Sequence, residues 1–258
     1  RKTPRGELFG PKERGTVMHE VWKTVWDMRP PDADCPTLRA TLACAWDGAM
    51  ASLSSKYPLV SDPRSKPALA DMKTKMLRIA DAEDDFERSA RSAGIQRVRT
   101  FTELDLPNIE LEHSIFAGRA DRVDFLSSPH GTFAVISDYK SKGASRYRES
   151  LQLAAYAAAL RNSDVAAGGV RYLCHGDGTA ISYWSQAAKQ ALGQPRAPSC
   201  EEKIELALEK LLAADQIAAD GRYEANYDSP SCAWCGHSAI CRRSERRGAS
   251  SLDEGDLE

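Results

Sequence analysis

The stretch AVISDYKSKG, from Ala134 to Gly143, constrains this chain more than any other. Four mostly apolar residues lead into Asp138-Tyr139-Lys140, and small and basic residues then take over. The apolar lead reads as a buried strand. Side chains alternate along a strand, so Asp138 and Lys140 share one face and Tyr139 takes the other. Two opposite charges on an inward face cost desolvation free energy unless something uses them. Either they form a plain ion pair at a sheet edge, or they are half of a catalytic site.

The surrounding pattern sets the fold class. Met18, Val21, Trp22, Val25 and Trp26 recur at helical spacing, which predicts a helix over Gly15 to Met28, closed by Pro30-Pro31. Pro36 to Tyr57 and Pro67 to Ala93 read as two more helices, the second closing at Gly94. Then the period changes. Gln96 to Leu106, Ile109 to Phe116, Arg119 to Leu126 and Thr132 to Lys140 read as strands, punctuated by Pro107-Asn108 and by Ser127 to Gly131. Ser150 to Leu160 predicts a helix, Val170 to Leu173 and Thr179 to Trp184 two strands, and Cys200 to Ala219 an amphipathic helix. The order implies an α/β chain with a small central mixed sheet and a helical N-terminal part. We expect one domain over residues 1–247, with that helical part at 11–94, a core at 95–185 and a C-terminal helix and cysteine cluster at 200–243. The acidic tail 248–258 reads as disordered.

Composition bounds the function classes. The 258 residues are 42% hydrophobic and 28% charged, which fits a globular chain. No run of eighteen apolar residues exists, so no helix is expected to span a membrane, and the polar N-terminus has no signal-like core. A cytoplasmic location is the default expectation. Net charge is −2, so any nucleic-acid contact must use local basic clusters such as Lys140 to Arg148.

Upstream of the Asp-Tyr-Lys strand lies Gly118-Arg-Ala-Asp121-Arg-Val-Asp124. On a neighbouring strand, Asp121 can sit beside Asp138. Two carboxylates and a lysine suit phosphodiester hydrolysis with a hard divalent cation, Mg²⁺ or Mn²⁺, which selects carboxylate oxygens. The lysine can orient or deprotonate water, or neutralise developing charge. His19 opens an amphipathic helix. Gln152 and Tyr156 share a helix face by their four-residue spacing. Each of these alone is commonly structural.

Taken in order, ERGTVMHEVW, GRADRVD, SDYKSKG and LQLAAYAAAL resemble the RecB-type branch of the PD-(D/E)XK nuclease superfamily. The resemblance runs from about Pro11 to Arg243. It implies a restriction-endonuclease-like fold. It makes His19, Asp121 and Asp138 metal ligands and Lys140 the catalytic lysine, with Gln152 and Tyr156 flanking the site. It further implies a DNA exonuclease acting on single-stranded DNA in repair or recombination, resembling the C-terminal nuclease of AddB-type helicase–nuclease subunits. The chain has no G-x-x-x-x-G-K-[ST] loop, so a helicase motor is expected upstream in a longer protein or on a partner subunit. The alternatives are a catalytically silent module of the same fold that binds DNA or a partner subunit, and a zinc-bearing structural module.

Seven cysteines, an odd number, argue against a disulfide framework in such a location. Cys232, Cys235 and Cys241 have the spacing C-x2-C-x5-C, which suits zinc, with His237 as a fourth ligand, or an iron–sulfur cluster. The resemblance favours a [4Fe–4S] cluster over zinc, with a fourth cysteine before the His19 helix. No cysteine precedes His19 in this sequence. The expectation is that the chain is a fragment starting after that residue, or else that Cys35 or Cys44 substitutes. Cys44, Cys174 and Cys200 read otherwise as core residues.

Overall fold

A computed structural model describes residues 11–29, 36–161, 165–221. Three helices come first: α1 (Pro11–Asp27), α2 (Leu38–Lys56) and α3 (Lys66–Ser92). They are held together by the apolar stripe seen in the sequence. Val17, Met18, Val21, Trp22, Val25 and Trp26 of α1 are all buried, against Leu38, Leu42 and Leu53 of α2 and Met76 and Ile79 of α3. Burial of each large side chain stabilises by about 2 kcal/mol, so an acid at Val21 would break the stripe. Thr37 caps α2 by accepting a hydrogen bond from the Ala40 amide at 3.2 Å. Helix α3 stops where Gly94 adopts a left-handed φ of 77°.

The strands are β1 (Gln96–Asp105), β2 (Ile109–Glu110), β3 (Ile115–Phe116), β4 (Arg119–Ser128), β5 (Gly131–Lys140), β6 (Ala167–Cys174) and β7 (Thr179–Trp184). Five form one mixed sheet in the order β1-β4-β5-β6-β7. The β1/β4, β4/β5 and β6/β7 pairs are antiparallel, and β5/β6 is parallel, bridged by α4 (Gln152–Ala159). Helices α5 (Gln186–Ala191) and α6 (Cys200–Ala219) follow.

Alternate residues on the strands face opposite sides of the sheet and pack into three clusters. Val123, Ala134, Ile136, Val170 and Tyr172 pack with α4 and α6. Tyr139 and Leu173 pack with α1 to α3, and Phe133, Val135 and Trp184 with Ala90 and Ala188. The result is a mixed sheet flanked by helices, a restriction-endonuclease-like α/β fold as expected.

Three expectations are corrected. Ile109 to Phe116 is no continuous strand but two two-residue strands turned on each other, because the Leu111 amide donates to Ser114 O at 2.9 Å. The helix α5 has no counterpart in the sequence reading; its cap is Ser185, which accepts from the Ala188 amide at 3.2 Å. Cys44 is exposed, on the solvent side of α2, whereas Cys174 and Cys200 are buried as expected. Cys35, Cys232, Cys235, Cys241, His237 and the acidic tail lie outside the described residues.

Candidate active site

Strands β4 and β5 bring the two acids together. Their ladder pairs Arg122 with Ser137, Val123 with Ile136 and so on to the turn. One step beyond Arg122 and Ser137 stand Asp121 and Asp138. There the side chain takes over from the ladder: Asp121 Oδ2 accepts a hydrogen bond from the Tyr139 amide at 2.9 Å. Asp138 lies almost fully buried, and Lys140 Nζ stands 2.7 Å from its Oδ2. The same ammonium donates to Gln152 Oε1 at 2.9 Å, and Gln152 Nε2 donates to Tyr156 Oη at 3.2 Å. The array therefore runs unbroken from the strand pair to the first turn of α4. Gly118 makes room for its end: a Cβ there would lie 2.5 Å from the Tyr156 ring.

His19 reaches the same place from α1. Its Nδ1 lies 3.3 Å from Asp121 Oδ1. A third acid, Glu103, was not singled out by sequence reasoning. The β1/β4 pairing steps from Thr102 with Arg122 to Leu104 with Ala120, so Glu103 falls across from Asp121. It does so with a left-handed φ of 49°, which is uncommon for a residue with a side chain. Nothing in its spacing could have announced this, although an acid on the strand next to GRADRVD was visible. Ligand atoms of His19, Glu103 and Asp121 lie within 4.8 Å of one another. His19 and Glu103 border an open polar cavity of about 460 Å³ lined also by Gly15, Thr16, Lys23 and Arg119.

Burial and like charge push the Asp138 carboxyl up to about 7, burial first and Asp121 second, against the pull of Lys140 and His19. Burial also works on Asp121, but the His19 hydrogen bond and charge and the Tyr139 amide hold it below the usual carboxylate range. Burial lowers His19, yet Asp121, Asp138 and Glu103 outweigh it and raise the imidazole. Lys140 is opposed by burial and held above its ordinary value by Asp138 and Asp121. Carboxylate oxygens in excess, with one imidazole and an open polar side, fit a hard divalent ion.

Behind the acids, Tyr139 fixes the strand. Its ring stacks on Trp22 at 4.8 Å, and its hydroxyl accepts from Trp26 Nε1 at 2.6 Å and from Arg122 at 2.8 Å. His175, also missed in the sequence, supports Lys140. The His175 amide donates to the Lys140 carbonyl at 2.8 Å, and its Nδ1 faces that same oxygen at 3.2 Å. Its Nε2 accepts from Trp22 Nε1 at 2.8 Å, which leaves the proton on Nδ1. Burial drives the pKa of this imidazole down to about 4, in keeping with a neutral ring.

All six residues expected around the site (His19, Asp121, Asp138, Lys140, Gln152 and Tyr156) thus stand in one connected group. Six solved chains match, among them one titled "Crystal structure of SSO0001", at 14% sequence identity, a TM-score of 0.30, and coverage of 88% of this chain and 85% of that one. Comparison with curated proteins finds no match. The family model of the PD-(D/E)XK nuclease superfamily matches residues 1–242, nearly the whole chain, and the chain belongs to that superfamily.

Proposed function

We propose that this protein is a divalent-metal-dependent deoxyribonuclease that degrades single-stranded DNA from an end, in DNA repair or recombination. Membership of the superfamily indicates a nuclease; metal dependence rests on the site, and the substrate, the action from an end and the repair role rest on the resemblance of the motifs. The observation that carries it is the single array of His19, Asp121, Asp138, Lys140 and Gln152 at the open end of β4 and β5. His19, Asp121 and Asp138 would hold Mg²⁺ or Mn²⁺, with Glu103 at their side. Such an ion supplies charge stabilisation to phosphoryl oxygens and acidifies water.

The chain's own residues do the rest. Asp138 and Gln152 hold the Lys140 ammonium between them, and its raised pKa keeps it charged at neutral pH. Lys140 therefore acts as a cation and hydrogen-bond donor toward the phosphodiester; a role as base would need the opposite shift. Exposed Lys142, Arg146 and Arg148 follow directly and suit contact with the strand's phosphates. By the resemblance of its motifs, the protein is the nuclease portion of an AddB-type helicase–nuclease working in the cytoplasm. Cys232, Cys235 and Cys241 would belong to a [4Fe–4S] cluster, and the motor would lie elsewhere in the assembly.

The test is cleavage of end-labelled single-stranded DNA with Mg²⁺ or Mn²⁺. We expect Asp138→Ala and Lys140→Ala each to lower the rate by about 100- to 1,000-fold with the fold retained. Metal-independent cleavage, or equal rates in wild type and variants, would remove this assignment of the site, and no cleavage by the folded wild type with metal present would leave a binding module.

A further inference from the structure

Beside the acidic array runs a second concavity of different character. It has a volume of about 370 Å³, and its walls come from three elements. Phe116 stands on the β2/β3 hairpin, Gln152 and Tyr156 on α4, and Lys210 and Leu211 on α6. The lining carries one lysine and no carboxylate. That lysine sits at the rim, 3.7 Å from Glu209.

The walls are held in place. Asp215 of α6, buried, accepts from the His113 amide at 3.0 Å and from Ser114 Oγ at 2.5 Å, which ties the hairpin to α6. Gly118 lets the Tyr156 ring lie against the backbone. The Phe116 and Tyr156 rings are 6.2 Å apart at 42°, and both residues are half-buried and line the groove. Tyr156 is one hydrogen bond from Gln152, and Gln152 is one from Lys140. The groove thus begins where the acidic array ends.

We propose that this groove seats an unstacked nucleobase of the strand whose phosphodiester lies at Asp138 and Lys140. The inference rests on the nuclease reading and adds a substrate feature to it. A base is flat and apolar on its faces and polar at its edge. Aromatic and aliphatic walls with Gln152 at one end complement both properties. The absence of lining carboxylates, the lysine at the rim and the exposed Lys142, Arg146 and Arg148 on the connection from β5 to α4 suit the polyanion that carries the base. A base paired in a duplex cannot enter a pocket of this kind without leaving its stack, so the groove selects single strands.

The experiment uses the full chain and a single-stranded oligonucleotide in which 2-aminopurine is walked along the sequence, with Ca²⁺ replacing Mg²⁺ to suppress cleavage. The expected result is fluorescence quenching at one or two adjacent positions, lost in Phe116→Ala and in Leu211→Ala. An abasic residue at the same position should weaken binding to the wild type by about tenfold, a readout that needs no variant to fold. A flat 2-aminopurine scan together with a flat abasic scan would overturn the proposal. Cleavage of the same oligonucleotide with Mg²⁺ is scored separately. Cleavage with flat scans removes the groove and keeps the nuclease; positional quenching without cleavage does the reverse.

Discussion

The same strands carry charge on both faces of the sheet, and the two faces treat it differently. Behind the acidic array, Arg122 of β4 meets Glu83 of α3 at 2.6 Å, Asp124 at 2.8 Å and the Tyr139 hydroxyl at 2.8 Å. Arg171 of β6 meets the other Glu83 oxygen at 2.6 Å. Burial opposes ionisation of Glu83, but Arg171 and Arg122 hold it below the usual range. In front, Asp138 is buried nearly as deeply, with its side chain 5% exposed against 3% for Glu83. Yet it is pushed up to about 7. Burial is therefore not what separates the two carboxylates. Glu83 faces two guanidinium groups; Asp138 faces one ammonium and a second carboxylate. The rear cluster is closed by its own partners, while the front carries an excess of acid that a cation would relieve.

The contrast breaks most visibly on truncation. Glu83→Ala leaves Arg122 and Arg171 buried without their shared acid, and should cost about 3–5 kcal/mol of unfolding free energy. Asp138→Asn should do the opposite in the metal-free protein. A carboxyl raised from the usual 3.8 to about 7 favours the fold below 3.8 and loses that contribution as pH rises through 7. At pH 8 the amide should therefore leave stability unchanged or raise it by roughly 1 kcal/mol. Urea denaturation of both variants at pH 8 decides the matter; equal losses would mean that the two clusters are alike.

A smaller effect sharpens the front alone. On the proposed ligand set, metal binding would displace the proton that Asp138 holds below about pH 7 and the one on His19, whose imidazole is also raised. Titration calorimetry with Mn²⁺ should show apparent affinity falling with pH by up to about tenfold per pH unit for each of these two groups, and levelling only where both have lost their protons. A flat profile from pH 5.5 to 8 would take Asp138 out of the ligand set. Smaller still, Glu103→Gln should weaken metal binding by about tenfold, with cleavage restored at higher metal concentration. Loss of cleavage that excess metal does not rescue would place Glu103 in the chemistry instead.

Much of the site was legible along the chain because it depends on local periods. Asp138 and Lys140 share a face by strand alternation, and Gln152 and Tyr156 by the helical repeat. The apolar stripe of α1 was legible for the same reason. The segment from Ile109 to Phe116 was not: β-prone residues at its two ends look the same whether they join one strand or fold back. Asp215, about a hundred residues away in sequence, holds the turn in place.

By itself the sequence determined most of the elements and the residues that they offer to the candidate site: the two acids, the lysine, the histidine and the Gln–Tyr pair. Tertiary structure alone decided the company they keep. Glu103 meets Asp121 only through the β1/β4 register, and His175 steadies Lys140 only because β6 runs parallel beside β5. The groove exists only where the hairpin, α4 and α6 converge. Periodicity is a property of neighbours in the chain, whereas register and helix packing are set by contacts between distant residues, and those contacts form only when the whole sheet packs against its helices.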